Sequence, residues 1–122
     1  MGKSITYEVR YAEYYEPYVI LATSRFVPYD ERFRGYGMNK CIHLRALAER
    51  GASFHVLCGH FCLADSHEKS VAHKQTYGTG SGYRKYVVAS LYRQAVKEQR
   101  DGRPACVSQS TAQLLWTAQH AA

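Results

Sequence analysis

Pro28-Tyr-Asp-Glu-Arg-Phe-Arg-Gly-Tyr-Gly-Met-Asn-Lys40 is the stretch on which the reading of this chain turns. It sets adjacent acids, arginines, aromatic rings and two glycines side by side, a mixture too polar for a buried element. Gly35 and Gly37 free the backbone for turns and for close approach to a ligand. Asp30 and Glu31 can accept protons, and Tyr29, Phe33 and Tyr36 can stack on a planar or sugar-like face. The segment therefore reads as a binding or catalytic loop. The plainer alternative has Asp30 capping a turn and Glu31 pairing at the surface with Arg32 or Arg34, where ion pairs contribute little.

Downstream of the loop, Asn39 is placed to cap a helix to about Arg50, with Ile42, Leu44, Leu47 and Ala48 on its packed side. Gly51 is the expected stop, and Arg50 suits the last turn. Upstream, the apolar run Tyr18-Val-Ile-Leu-Ala22 behind Pro17 reads as a buried strand. Ser53-Phe-His-Val-Leu-Cys58 reads as another, and Phe61 to Ala64 as a further short extended piece. From Asp65 to Gly82 the chain turns polar and reads as loop. A second helix is expected from near Ser81 to before Gly102. Val87, Val88, Leu91, Tyr92, Ala95 and Val96 form its apolar stripe, and Arg84, Arg93, Lys97 and Arg100 face water. Pro104 discourages continuation, and Leu114, Leu115 and Trp116 allow a short helix in the tail. The fold expected is α/β, a short mixed sheet flanked by two main helices, with one unit over 1–103 and a tail over 104–122.

The totals agree with a single modest domain. The chain has 122 residues, 46% of them hydrophobic, and a formal net charge of +6 that favours anionic partners such as nucleotides, phosphorylated substrates or nucleic acid. MGKSITYEVR has no apolar run behind its positive charge, so it does not read as a signal peptide, and no stretch approaches the length of a membrane span. The four cysteines permit disulfides, but their spacing does not specify a secreted scaffold, and buried free thiols are the simpler reading.

Four further clusters carry candidate chemistry. Cys58-Gly-His-Phe-Cys62 offers zinc-ligating side chains on one face of a strand, without the paired knuckles usual for zinc; a strand edge is the alternative. Asp65 and His67, with Lys69, His73 and Lys74 close by, could meet at a divalent metal and face phosphate oxygens, or form an ordinary polar loop. Gly78-Thr-Gly-Ser-Gly82 before a helix is either an anion-binding turn or a hinge; it is not Walker A, because the Gly-Lys-Ser/Thr ending is missing. Tyr83-Arg-Lys-Tyr86 could stack on RNA bases or simply pack.

Taken in order, Glu16-Pro-Tyr-Val19, Tyr29-Asp-Glu-Arg-Phe-Arg-Gly-Tyr-Gly-Met-Asn-Lys40, His43, Gly51, Phe54-His-Val-Leu57, Ser66-His-Glu-Lys-Ser70 and Tyr83-Arg-Lys-Tyr86 resemble the C-terminal catalytic half of the LARGE-like glycosyltransferases. That family includes a β-1,4-glucuronyltransferase. The resemblance spans about residues 13–100 and is most specific from Asp30 to Lys40. It implies a GT-A fold, a UDP-sugar donor, a glycan acceptor, Mn²⁺ as cofactor and a Golgi setting for full-length members. By the same resemblance, Asp30 or Glu31 is the acceptor-side base or contact. Arg32, Phe33, Gly35, Tyr36, Gly37, Asn39 and Lys40 shape substrate binding, and Asp65 and His67 stand at the metal.

Two departures qualify this expectation. Asp65 occupies a position where the family has a metal-holding histidine, and no Asp-x-Asp occurs in the chain. The expectation is thus an acceptor-side half, inactive alone, whose nucleotide-binding half is missing or comes from a partner chain. The reading from a different class is a small basic module for nucleic acid or another polyanion.

Overall fold

The computed structural model describes residues 5–109. In chain order these form strand β1 (Thr6–Val9), a 3₁₀ turn (Thr23–Arg25), helix α1 (Asn39–Glu49), strand β2 (Phe54–Leu57), and helices α2 (Val71–Tyr77) and α3 (Gly82–Arg100). The result is a small α/β unit.

β1 and β2 form an antiparallel pair in which Thr6 faces Leu57 and Val9 faces Phe54. The sheet is therefore antiparallel among the described residues, where the sequence reading expected a mixed one. Alternation in Phe-His-Val-Leu turns Phe54 and Val56 toward the protein and His55 and Leu57 toward water. Phe54 then packs against the Tyr11 and Tyr15 rings, at centroid distances of 6.0 and 6.4 Å.

Helix α1 carries the core. Ile42 and Leu44 are fully buried, and two clusters flank the helix. Leu44, Ala46 and Leu47 pack with Val27, Leu21, Tyr11 and Phe54. On the other side, Cys41 and Ile42 pack with Tyr92 and Ala95 of α3, joined by Phe33, Met38 and Val96. The expected packed face is thus present, and the expected ending too: Gly51 at φ 80° follows the helix, its N–H bonds Ala48 O, and the Ala52 N–H bonds Leu47 O. That pair of bonds is a Schellman ending. The start differs from expectation. Met38 at φ 60° occupies the cap position, and Asn39 is the first helical residue, its side chain accepting only the Lys40 N–H.

Helix α3 has the extent read for it, with Tyr92 and Ala95 buried and its arginines outside, but Val87 of the expected apolar stripe is exposed. Three expectations are corrected. Tyr18–Ala22 forms no strand: Tyr18 is 79% and Ile20 86% exposed, and only Leu21 joins the core. An apolar run becomes a strand only when a partner edge lies beside it, and β2 pairs instead with β1. Phe61 to Ala64 likewise has no strand partner among the described residues, and Phe61 and Leu63 are exposed. The polar stretch after Asp65 contains helix α2, capped by Ser70 Oγ accepting the His73 N–H at 3.2 Å. Seven residues are too few to hold a helix alone; docking on α3 supplies what propensity lacks. The tail helix expected through Leu114 to Trp116 lies outside the described residues. Among the described residues, no helix is long and apolar enough to cross a membrane.

Candidate functional site

The loop from Pro28 to Met38 is held at both ends. Asp30 is 5% exposed, and its carboxylate accepts from Arg32 through the backbone N–H, Nε and Nη2, at 3.1, 2.9 and 2.6 Å. The same Arg32 Nη2 reaches Glu98 of α3 at 2.6 Å. These hydrogen bonds with Asp30 and Glu98 push the Arg32 pKa upward, and the Arg32 bond holds the Glu98 carboxyl below its ordinary value. Asp30 thus turns the loop and, through Arg32, ties it to α3. Glu31 lies half-buried beside it. Its backbone N–H bonds Cys106 O at 2.8 Å, and its carboxylate accepts the Ser108 N–H at 2.9 Å.

The middle of the loop seats on α2, a contact that required knowing α2 exists. Tyr36 lies edge-on to His73 and Tyr77, with centroids 4.6 and 5.9 Å away. Gly37, at φ 112°, passes so close to Tyr77 that a Cβ there would fall 2.6 Å from the phenol oxygen. Phe33 points the other way, into the α1–α3 cluster. Of the expected substrate residues, then, Phe33 supports the loop from inside, while Tyr36 remains partly open to solvent.

Where the loop enters α1, side chains frame a cavity of about 380 Å³ lined by Pro17, Tyr18, Val19, Tyr29, Asn39, Lys40 and Leu44. Lys40 Nζ stands 4.7 Å above the Tyr18 ring and 3.4 Å from Glu16 O. Tyr29 lies parallel to His43, with centroids 3.9 Å apart and planes 4° from coplanar. Glu16 accepts a hydrogen bond from the Cys41 thiol at 2.8 Å; burial, with this bond next, pushes the thiol up to about 12. Aromatic faces beside one amide and one ammonium make a place for a ring bearing hydroxyl or acidic groups. Asn39 and Lys40 were visible from sequence. Tyr18 was read as strand, which hid its place at the cavity, and nothing in the sequence paired Tyr29 with His43.

The proposed metal residues are arranged otherwise. Asp65 and His67 lie on exposed coil between β2 and α2, and His67 Nδ1 sits 2.8 Å from Glu68 O. Among the described residues, no group of three or more His, Cys, Asp or Glu side chains is placed to hold a metal. The same is true of Cys58, His60 and Cys62, where His60 Nδ1 contacts Cys58 O at 3.1 Å. The donor set of the described residues does not by itself fit a Mn²⁺ ion, so no chemical step is routed through one.

Residues 1–97 match the family described as glycosyl-transferase for dystroglycan, and the chain belongs to that family. It is similar to the glycosyltransferase-like protein gnt13 of Dictyostelium discoideum, 38% identical over 64 residues, covering 52% of this chain and 10% of that protein. It is also similar to the glycosyltransferase-like protein LARGE of Caenorhabditis elegans, 34% identical over 70 residues, covering 57% of this chain and 11% of that one. The chain therefore spans about a tenth of the length of these curated relatives. No solved structure matches it.

Proposed function

We propose that this chain is the acceptor-side part of a GT-A-type glycosyltransferase that moves a sugar, glucuronic acid or xylose-like, from a UDP-sugar to a glycan. The observation that carries the reading is the meeting of a family match with a ring-sized cavity at the same loop. In this proposal a sugar ring of the acceptor lies against Tyr29 and Tyr18. Asn39 bonds its hydroxyls, and Lys40 pairs with an acidic group on it. Asp30, Arg32, Phe33, Gly35, Tyr36 and Gly37 hold the loop to shape, with Tyr36 open to a neighbouring sugar.

The transfer itself is a displacement. The acceptor oxygen bonds to the anomeric carbon, the bond from that carbon to the diphosphate breaks, and UDP leaves with the electron pair. The acceptor proton passes to a loop carboxylate. Asp30 or Glu31 is that carboxylate: the oxygens of Asp30 face Arg32, and those of Glu31 accept from Ser108. The carboxylates that bind the nucleotide belong to a part of the enzyme other than residues 1–103 or to a partner chain, so this chain alone is inactive. Family resemblance also carries the proposals of Mn²⁺, with Asp65 and His67 contributing to its site in the whole enzyme, and of a Golgi location.

Amide NMR of the full chain tests this reading. Methyl β-xyloside or methyl β-glucuronide should shift Tyr18, Tyr29, Asn39 and Lys40 saturably, while UDP with Mg²⁺ binds weakly. Absence of any response to both glycosides overturns the sugar site. The second reading, a polyanion-binding module, draws on the net charge of +6 and on exposed Tyr83 and Tyr86 flanking Arg84 and Lys85. Its mark is binding to poly(U) that collapses with salt and leaves the cavity resonances unmoved.

A further inference from the structure

His43 is unusual among the polar side chains of this chain. It is 4% exposed, on the inner side of α1, in a position where an aliphatic residue would fill the space. Its ring is covered by Tyr29 on one face, parallel at 3.9 Å, and approached by Phe26 at 6.3 Å and 46°. A ring nitrogen bonds the Pro28 backbone, while Nδ1 is buried with no hydrogen-bond partner among the described residues. With Nδ1 unpartnered, the neutral ring carries its proton on Nε2 and leaves Nδ1 as a bare lone pair.

A bare acceptor in an apolar place is tolerable, but an N–H there is not. Protonating Nδ1 would bury a charged donor with nothing to receive it, at a cost of kilocalories per mole. Among the described residues, no counter-charge acts on the ring. From the loop the titratable group on the ring is the Tyr29 phenol, and Asp30 beside it is engaged by Arg32. Along α1, Lys40 is turned to Tyr18 and Arg45 to Glu13 and Glu49. α3 packs on the opposite side of the helix, through Cys41 and Ile42. Burial accordingly lowers the His43 pKa below its usual 6.5, with the Pro28 bond working against it.

Tyr29 is 44% exposed: one ring face is spent on His43 and the rest of the ring opens toward the cavity. We infer that His43 is a positioning residue that holds the Tyr29 ring as a wall of the cavity, and that it does so only while the imidazole is neutral. Protonation breaks the stack because the cation must leave its apolar seat to reach water, and Tyr29 moves with it. The cavity's affinity for a sugar ring then falls in acid. That last step rests on the proposed function; the coupling of Tyr29 to His43 does not.

The test uses the full chain with isotope-labelled histidine and tyrosine. Imidazole NMR from pH 7.5 to 4.5 should show His43 as the neutral Nε2–H form at pH 7.5, titrating with a midpoint below 6.5. The Tyr29 ring signals should move with the same midpoint, while Tyr86 stays still. His43→Phe keeps a stacking ring and removes the proton, so its Tyr29 signals should be flat across this range. If that variant fails to fold, His43→Gln serves, with Tyr29 signals displaced at every pH. Tyr29 signals that ignore the His43 midpoint, or a His43 titrating at its ordinary value, overturn the inference. Methyl β-xyloside titrations at both ends of the range then separate the two readings. Wild type should bind at least about 3-fold more weakly in acid and His43→Phe equally at both ends. If Tyr29 tracks His43 but no glycoside binds, the positioning role stands and the sugar site falls.

Discussion

Arg32 in the loop and Glu98 in α3, 66 residues apart, are joined side chain to side chain at 2.6 Å, and the same guanidinium nitrogen holds Asp30 at 2.6 Å. One cation thus serves a buried carboxylate and a more exposed one, and the two are not equivalent. Arg32→Met leaves Asp30 charged and unpaired in the interior and should cost about 2–4 kcal/mol. Glu98→Gln keeps the buried pair and should cost under about 1 kcal/mol. Urea unfolding at pH 7 measures both; equal costs would show that Asp30 is not effectively buried.

The Glu98 carboxyl adds a pH dependence. Its folded-state pKa lies below the ordinary 4.5, so its contribution is complete above that value and disappears as pH falls through the lowered one. The difference in stability between wild type and Glu98→Gln should therefore shrink as pH falls below 4.5 and through the lowered value. A difference that is constant over that range would contradict the pairing.

The two loop glycines make a graded pair. A Cβ at Gly35 meets nothing, so Gly35→Ala bears only the cost of a positive φ, about 1–2 kcal/mol. Gly37→Ala meets the Tyr77 oxygen as well and should lose more. Tyr77→Phe removes that oxygen and should return part of the Gly37→Ala loss, leaving the backbone part. Thermal unfolding of the four variants decides it, and additive effects of Gly37→Ala and Tyr77→Phe would contradict the contact.

Thiol chemistry should sort the cysteines by position. Cys62 and Cys106 are exposed, Cys58 is half-covered, and Cys41 is buried with its thiol pushed up to about 12. With iodoacetamide at pH 7.5, mass spectrometry should find Cys62 and Cys106 modified first and Cys58 more slowly. Cys41 should react only in denaturant, because it has neither access nor thiolate. Early modification of Cys41 would refute its burial against Glu16.

Core substitution should separate α1 from the outer segments. Ile42→Ala empties a fully buried site between α1 and α3 and should cost about 2–4 kcal/mol. Ile20→Ala, on an 86% exposed side chain, should change stability by under about 0.5 kcal/mol. Were Tyr18–Ala22 a buried strand after all, the two losses would be comparable.

Helices α1 and α3 were readable because their apolar residues recur at helical spacing and glycine marks the end of α1. β2 was readable from four alternating residues. The loop before α1 was readable as loop because its composition suits neither core nor helix surface. These are local properties, and each is settled within a few residues by backbone geometry and water.

Other features depended on what each segment meets. Tyr18–Ala22 has strand composition but no strand edge beside it, since hydrogen bonding to a neighbour, and not hydrophobicity, makes a strand. α2 has too few apolar residues to be recognised and exists through its contact with α3. The Asp30–Arg32–Glu98 link, the seating of Gly37 on Tyr77 and the neutral His43 beneath Tyr29 join residues that nothing in the sequence pairs. By itself the sequence determined the two long helices, the loop and the family. Tertiary structure alone decided which loop carboxylate is sealed, which rings line the cavity and which histidine is denied its proton, because burial and charge pairing are properties of neighbours in space.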